Sequence, residues 1–166
     1  MTGNISIEVP TVDDWPDIAA VISAAFNSDP DEEADAVSRL VYEPERTLVA
    51  RQHGQIVGTA GIFTRSMRVP GATVPTAHVP RGGVAPTARR QGIMTRLLTR
   101  QLADIRAAGE PIAALWASEG RLYQQFGYGL AVRRLILEVD TREVRLPGPV
   151  TGRLRPAAPA DARDDL

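Results

Sequence analysis

The chain has 166 residues, of which 43% are hydrophobic and 23% are charged, and its formal net charge is -1 at pH 7. These values suit one soluble globular domain with a sizeable core, and the near-neutral charge argues against a general attraction for nucleic acid. The chain has no cysteine, and its two histidines, His53 and His78, lack the spacing of metal ligands, so we expect no metal site.

The amino-terminal part of the chain predicts a strand, two helices and a hairpin. Alternating apolar residues predict a strand at 5–9, and the apolar spacing over 12–26 predicts a helix. After an acidic loop at 27–35, a short second helix is predicted around 36–41. Two strands, 46–51 and 55–65, are joined by a turn at His53 and Gly54.

The carboxy-terminal part predicts further strands around one long helix. A strand at 74–84 contains Pro80, which cannot donate a ladder hydrogen bond and therefore predicts an edge, a bulge or a splayed position. A long helix at 87–107 ends at Gly109, and the apolar run 111–117 predicts a buried strand. Ser118 is expected to cap a short helix, and a last strand is predicted at 130–140. The whole is a mixed α+β domain with one sheet.

A site for phosphate is predicted where the long helix begins. Arg89 and Arg90 fall at the amino end of that helix, where unpaired NH groups and the helix dipole disfavour cations and attract anions. Gly92 permits a close approach of the backbone to a ligand. The alternative is that both arginines are solvated surface residues.

Two sequence motifs resemble a known enzyme family. The stretch VAPTARRQGI resembles the pyrophosphate loop of the GNAT superfamily of acyl-CoA-dependent N-acyltransferases, with Arg89, Gly92 and Met94 at the motif positions. Met94 departs from the usual small residue. The stretch GEPIAALWASEGRLYQQFGYG, with VPTVDDWPDI and GTAGIFTRSMRVPG, resembles the amino-terminal domain of the mycobacterial enhanced intracellular survival (Eis) family.

This resemblance implies a GNAT fold, in which a mostly antiparallel central sheet is splayed at the acyl-CoA site and helices cover both faces. It implies acetyl-CoA as cofactor, with the pantetheine arm paired to the freed strand end. It also implies that the loop amides hold the pyrophosphate and that two further residues lie near the cofactor. The cofactor-binding residues so implied are Gly82, Gly83, Val84, Arg89, Arg90, Gln91, Gly92, Ile93, Met94, Thr95, Ser118 and Glu119.

By the same resemblance, Tyr123 is the general acid that protonates the departing thiolate. An unperturbed phenol, with a pKa of about 10, is protonated at neutral pH and suits that role. The residues alone favour the interpretation of Tyr123 as a core aromatic on a short helix, and the resemblance reverses that preference. Tyr128, Trp15 and Trp116 are interpreted as packing residues, and His53 and His78 as a turn and a strand residue.

The run of acidic residues between positions 29 and 35 has two interpretations. It is either a solvated face or the entrance for a cationic amine substrate. Its members are Asp29, Asp31, Glu32, Glu33 and Asp35.

The domain organisation is predicted as an acetyl-CoA-binding domain at 1–147 and a tail at 148–166. The tail GRLRPAAPADARDDL resembles the opening ISIEVPTVDDWPDI, and we expect it to begin a second, truncated domain. Eis-type proteins use a carboxy-terminal carboxylate as general base, which this chain would then lack.

The sequence therefore predicts an acetyl-CoA-dependent N-acetyltransferase acting on a primary amine of a small molecule, such as an aminoglycoside, or of a protein. The alternative is a non-catalytic acyl-CoA-binding or oligomerisation module. A nucleic-acid binder is disfavoured, because aromatic residues do not interleave with the arginines of the long helix. Without a long apolar run or a signal pattern, a cytoplasmic protein without membrane contact is expected, and homo-oligomerisation is left open.

Overall fold

A computed structural model describes residues 4–80 and 82–140, together with Arg142, Gly148, Gly152 and Pro156. The tail predicted at 148–166 lies, except for those last three residues, outside the described residues. The chain divides into two compact units, residues 1–129 and 130–166. In the described part of the chain, no helix has both the length and the apolarity needed to cross a membrane.

The described residues of the first unit form seven strands and four α-helices, in the mixed α+β arrangement that the sequence predicts. Short 3-10 turns precede α1, β2 and the loop before α3. In chain order the elements are β1 (Ile5–Glu8), α1 (Trp15–Phe26), α2 (Glu32–Leu40), β2 (Leu48–Gln52), β3 (Gln55–Ala60), β4 (Phe63–Val69), β5 (Ala72–Val79), β6 (Gly82–Val84), α3 (Ile93–Ala107), β7 (Ile112–Leu115) and α4 (Gly120–Gln124).

The strands form two sheets rather than one. The first has the order β1-β2-β3-β6 and is antiparallel throughout, whereas the second has the order β4-β5-β7, with β5 and β7 parallel. The predicted strand at 55–65 is divided at Gly61 and Ile62, and the predicted strand at 74–84 is divided at Pro80. At the splayed position predicted from Pro80, the chain passes from the second sheet to the first. It does so because Pro80 has no NH with which to continue the hydrogen-bond ladder.

Helices cover both faces of the first sheet, as expected for this fold. Val49 packs with α1 residues Ile18 and Val21, whereas the next residue, Ala50, belongs to the cluster that contains Leu97 of α3. Successive side chains of a strand point to opposite faces, so α1 and α3 lie on opposite sides of β2.

The long helix begins later than predicted. Pro86–Ala88 form a 3-10 turn, and α3 starts at Ile93 rather than at residue 87. Arg90 has a φ of 63° and Gly92 a φ of 73°, in the left-handed region that an α-helix cannot include. Arg89 and Arg90 thus lie in the loop before the helix and not in its first turn.

Other predicted elements also change at their ends. Helix α2 begins earlier, at Glu32, because the Asp31 carboxylate accepts a hydrogen bond from the Ala34 amide at 2.9 Å. The strand predicted as buried at 111–117 is reduced to β7, and all four of its residues are half-buried. Ser118 does not cap α4, since Glu119 holds the cap position and no side chain bonds there.

The strand predicted at 130–140 is wrong. The described residues of this segment, which belong to the second unit, have no regular secondary structure and no strand partner. Alternating apolar residues are not enough to form a strand, because its amides and carbonyls also need a neighbour for pairing.

A charged cluster connects the segment before β2 to the second sheet and to the turn after α3. The Arg46 guanidinium donates to Glu110 Oε1 at 3.0 Å and to Thr64 Oγ1 at 2.6 Å. The Glu43 carboxylate accepts from the Thr64 amide at 2.7 Å. Glu110 is 6% exposed and Arg46 is 19% exposed, so solvent screens this pair only weakly.

We expect Glu110→Ala to lower the free energy of unfolding by about 2 to 3 kcal/mol, because it leaves a mostly buried guanidinium without its counter-ion. Asp104→Ala is the matched control. Asp104 pairs with Arg100 on the exposed face of α3, and such a pair contributes no more than about 0.5 kcal/mol. Urea unfolding of the two variants measures both values, and equal losses would contradict a special role for the Arg46–Glu110 pair.

Candidate functional site

A groove of about 470 Å³ lies where β6, the loop before α3 and helix α4 meet. β6 is the last strand of the first sheet, and its outer edge has no strand partner among the described residues. That edge offers backbone groups to an extended ligand. The groove therefore combines an open strand edge with the beginning of a helix.

The start of α3 provides backbone donors to this groove. Its cap residue is Gly92, which has no side chain to occupy the first amides of the helix, and the first helical bond runs from the Arg96 amide to the Gly92 carbonyl at 3.0 Å. Gly92, Ile93, Met94 and Thr95 all line the groove. Uncapped amides at the positive end of a helix dipole suit a phosphate group.

The two loop arginines differ in their contacts. Arg89 Nη2 donates to the backbone carbonyl of Ala25, in the last turn of α1, at 2.9 Å. Arg90 lines the groove and is exposed, and within the described ranges no carbonyl or carboxylate accepts a hydrogen bond from it. The whole guanidinium of Arg90 is therefore available to an anionic ligand, whereas that of Arg89 already makes one hydrogen bond to α1.

Tyr123 lies at the junction of this groove with a smaller cavity. The smaller cavity, of about 170 Å³, is lined by Tyr123, Pro80 and Trp116 among others. Burial, and secondarily the charge of Glu119, raises the pKa of the Tyr123 phenol, so it remains protonated at neutral pH. The Tyr128 ring meets it edge to face with centroids 5.8 Å apart, and burial raises the pKa of Tyr128 as well.

The structure brings together all but one of the residues predicted for the site. Gln91 does not line the groove, because its Oε1 accepts a hydrogen bond from Gln52 Nε2 at 3.1 Å. The others share the groove: Gly82, Gly83, Val84, Arg89, Arg90, Gly92, Ile93, Met94, Thr95, Ser118, Glu119 and Tyr123.

Two residues that were not predicted for the site also line the groove or the smaller cavity. Phe26 was not singled out in the sequence, and Trp116 was interpreted as a packing residue. Phe26, the last residue of α1, lines both the groove and the smaller cavity. Trp116 does not end a buried strand: it is 62% exposed and lines the smaller cavity. The apolar periodicity of α1 places Phe26 on the helix. No pattern in the sequence indicates that this helix ends at a groove, so the position of Phe26 could not be predicted.

A third cavity, of about 250 Å³, lies between α1, α2 and the strands. Trp15 and Tyr42, whose ring centroids are 4.8 Å apart, line it together with Asp35. Asp35 is the one member of the acidic run that is half-buried and faces a cavity, whereas Asp31 caps α2 and the rest are exposed. Pro80 and Ile22 line both this cavity and the smaller one, so the two adjoin.

His53 and His78 have the structural positions expected of them. His53 occupies the hairpin turn with a φ of 52°. His78 of β5 stacks on Phe63 of β4 with ring centroids 6.1 Å apart. Burial, and then the charge of Arg65, lowers the pKa of His78, so the neutral imidazole is favoured.

Comparison with known proteins gives consistent similarities. A family model described as the acetyltransferase (GNAT) domain matches residues 6–131. The chain is 41% identical over 164 residues to an N-acetyltransferase of Streptomyces avermitilis. This alignment covers 95% of the present chain and 40% of the Streptomyces protein. The chain thus spans less than half the length of this relative.

Two solved structures have a similar fold. Eis1 from Mycobacterium abscessus matches with a TM-score of 0.69 and 37% identity, over 77% of this chain and 32% of that one. The aminoglycoside N-acetyltransferase AAC(6')-Iy, solved in complex with CoA, matches with a TM-score of 0.65 over 85% of this chain and 97% of that one. Its identity is 16%, so this second likeness concerns the fold alone.

The close contact of α1 with β6 can be tested at Gly83. A Cβ atom at this residue would lie 2.7 Å from the Ala25 Cβ, so Gly83→Ala must push α1 away from β6. We expect a loss of about 1 to 3 kcal/mol in the free energy of unfolding. Gly120→Ala is the control, because a Cβ there meets no atom within 4 Å. Thermal unfolding compares them, and an unchanged Tm for Gly83→Ala would contradict the contact.

Proposed function

Because this chain belongs to the GNAT acetyltransferase family, we propose that it binds acetyl-CoA in the groove beside β6 and transfers the acetyl group to a primary amine. The observation that carries the proposal is the meeting of three features in one groove. These are an open strand edge, an uncapped helix start next to Arg90, and a protonated Tyr123.

The cofactor would extend along the groove from the loop to Tyr123. Its pyrophosphate would accept hydrogen bonds from the amides between Arg90 and Thr95, with the Arg90 guanidinium balancing its charge. Its pantetheine arm would pair with the backbone of Gly82–Val84, as a peptide pairs with a sheet edge. Ser118 and Glu119 line the same groove near Tyr123. AAC(6')-Iy, which has a similar fold, was solved in complex with CoA, and this supports CoA as the class of ligand.

The reaction requires a nucleophile and a proton donor. A neutral amine attacks the thioester carbonyl, so that a C–N bond forms and the C–S bond breaks, and the amine loses a proton to solvent or a nearby base. The Tyr123 phenol gives its proton to the departing thiolate and is reprotonated from water. A backbone NH at the strand end near Val84 would stabilise the oxyanion of the intermediate. Because the pKa of Tyr123 is raised, its phenol is protonated at neutral pH and has a proton to donate.

The acceptor would approach through the smaller cavity that Tyr123 shares with Phe26 and Trp116. We infer a small-molecule amine, such as an aminoglycoside, because the N-acetyltransferase AAC(6')-Iy has that substrate class in its name. The GNAT domain would extend over residues 1–147, and a cytoplasmic location and homo-oligomerisation remain predictions. Binding of CoA without turnover would favour the alternative of a non-catalytic acyl-CoA-binding module.

Charge reversal of the loop tests the cofactor site. Arg89→Glu combined with Arg90→Glu should weaken acetyl-CoA binding by at least about 100-fold, because it removes the Arg90 guanidinium and places two carboxylates where the pyrophosphate would lie. Isothermal titration calorimetry measures the affinity. The matched control is Arg100→Glu with Arg106→Glu, which makes the same charge change on α3 away from the groove. Equal losses in the two double variants would show only a general charge effect.

Removal of one hydroxyl group tests the general acid. Tyr123→Phe should lower kcat by about 100-fold or more, whereas Tyr128→Phe should stay within about threefold, since the buried Tyr128 hydroxyl has no hydrogen-bond partner among the described residues. Thiol release from acetyl-CoA with an aminoglycoside panel measures both. A Tyr123→Phe variant with full kcat would exclude Tyr123 as the acid.

The pH dependence supplies a second test of Tyr123. Because its pKa is raised, the protonated phenol persists beyond the usual tyrosine value, and the midpoint of its ionisation should lie above the pH at which an exposed tyrosine ionises. The difference in tyrosinate absorbance between the wild type and Tyr123→Phe isolates this titration. A transition below that pH would mean that the phenol is ionised more easily than its surroundings indicate.

A further inference from the structure

The carboxy-terminal end of α1 reaches the cofactor groove with backbone carbonyls that have no partner inside the helix. Asn27 ends the helix in the left-handed conformation, with a φ of 52°, and the amides of Asn27 and Ser28 both donate to the Ser23 carbonyl. The carbonyls of the last helical turn have no partner inside the helix. The Ala25 carbonyl is one of these.

Arg89 supplies the donor that this carbonyl needs. Its Nη2 lies 2.9 Å from the Ala25 oxygen, and the two residues are 64 positions apart in the chain. A guanidinium is favoured at this end of a helix, because the carbonyl ends of the peptide dipoles point towards it. The side chain of Arg89 is therefore directed at α1.

This hydrogen bond, which ties Arg89 to the end of α1, lies where α1 and β6 are already in close contact. Gly83 of β6 has no room for a Cβ against Ala25, so the end of α1 lies directly on the strand proposed to pair with pantetheine. The next residue after Ala25 is Phe26, which lines both the cofactor groove and the smaller cavity beside Tyr123. The position of Phe26 thus depends on where the end of α1 is held.

We propose that Arg89 is a positioning residue, which ties the end of α1 to the cofactor loop and so fixes Phe26 at the acetyl end of the groove. Arg90 is then the loop cation that binds the pyrophosphate. This assignment differs from the role that the family motif implies for Arg89. The consequence for the reaction rests on the proposed function, whereas the tie between Arg89 and α1 does not.

Backbone conformation separates the two arginines. Arg89 is extended, with φ −63° and ψ 161°, whereas Arg90 is left-handed with a φ of 63°. Neighbouring side chains therefore leave the loop in different directions. Both side chains are exposed and line the groove, but Arg89 donates to the Ala25 carbonyl, whereas Arg90 makes no hydrogen bond to any described residue.

Hydrogen exchange followed by mass spectrometry tests the tie in the protein without cofactor. We compare Arg89→Gln with the adjacent control Arg90→Gln, which removes the same charge. Exchange of the amides at 24–28 should become about threefold faster or more in Arg89→Gln, because the end of α1 loses its charge-assisted bond. It should be unchanged in Arg90→Gln. Arg89→Lys, which keeps a cationic donor, should restore slow exchange.

Calorimetry with CoA, at low and at high sodium chloride concentration, tests the division of roles. Arg90→Gln should weaken binding by about tenfold at low salt and reduce its salt dependence, whereas Arg89→Gln should stay within about threefold with the salt dependence kept. The proposal is overturned if exchange at 24–28 is unchanged in Arg89→Gln, or if Arg89→Gln weakens CoA as much as Arg90→Gln. A wild type that does not bind CoA contradicts the proposed function, and the exchange experiment still decides whether Arg89 holds α1.

Discussion

The break in hydrogen bonding at Pro80 is the constraint on which the site depends. Up to Val79 the chain pairs with β7, and from Gly82 onwards it pairs with β3 in the other sheet. Between these two residues Pro80 lacks the NH that would continue the first ladder. The strands therefore separate at this point, and the smaller cavity, lined by Pro80, Gly82 and Trp116, lies there. A continuous sheet would leave no space for a ligand to reach Tyr123.

Side-chain bonds hold the two sheets together where the backbone ladder does not. Gln101 of α3 is 1% exposed and donates to the Gly61 carbonyl at 2.9 Å, at the point where β3 gives way to β4. The Arg46–Glu110 pair with Thr64 bridges the same division on another side. A buried donor without a partner carries a large desolvation cost, so these bonds favour one separation of the sheets. Groups outside the candidate site thus help to hold the two sheets together.

The sequence predicted the elements more reliably than their ends. The hairpin at His53 and Gly54 and the discontinuity at Pro80 were predictable, because turn glycines and strand prolines act through their own backbone geometry. The start of α3 was not, since Arg90 adopts a positive φ that few non-glycine residues adopt and no local pattern indicates. The strand at 130–140 failed because pairing depends on a neighbour as well as on alternation.

The same limit applies to the functional residues. A motif places Arg89 and Arg90 side by side and gives no reason to distinguish them, because their side chains have the same chemistry. Their contacts follow from one backbone torsion, which changes sign between them, and from the carbonyl of Ala25, which lies 64 residues earlier in the chain and accepts from Arg89. The residues of the motif do not indicate the torsion, and the Ala25 carbonyl lies outside the motif. The different roles proposed for the two adjacent arginines therefore depend on the fold. A loop motif that matches in sequence does not by itself say which arginine binds the ligand.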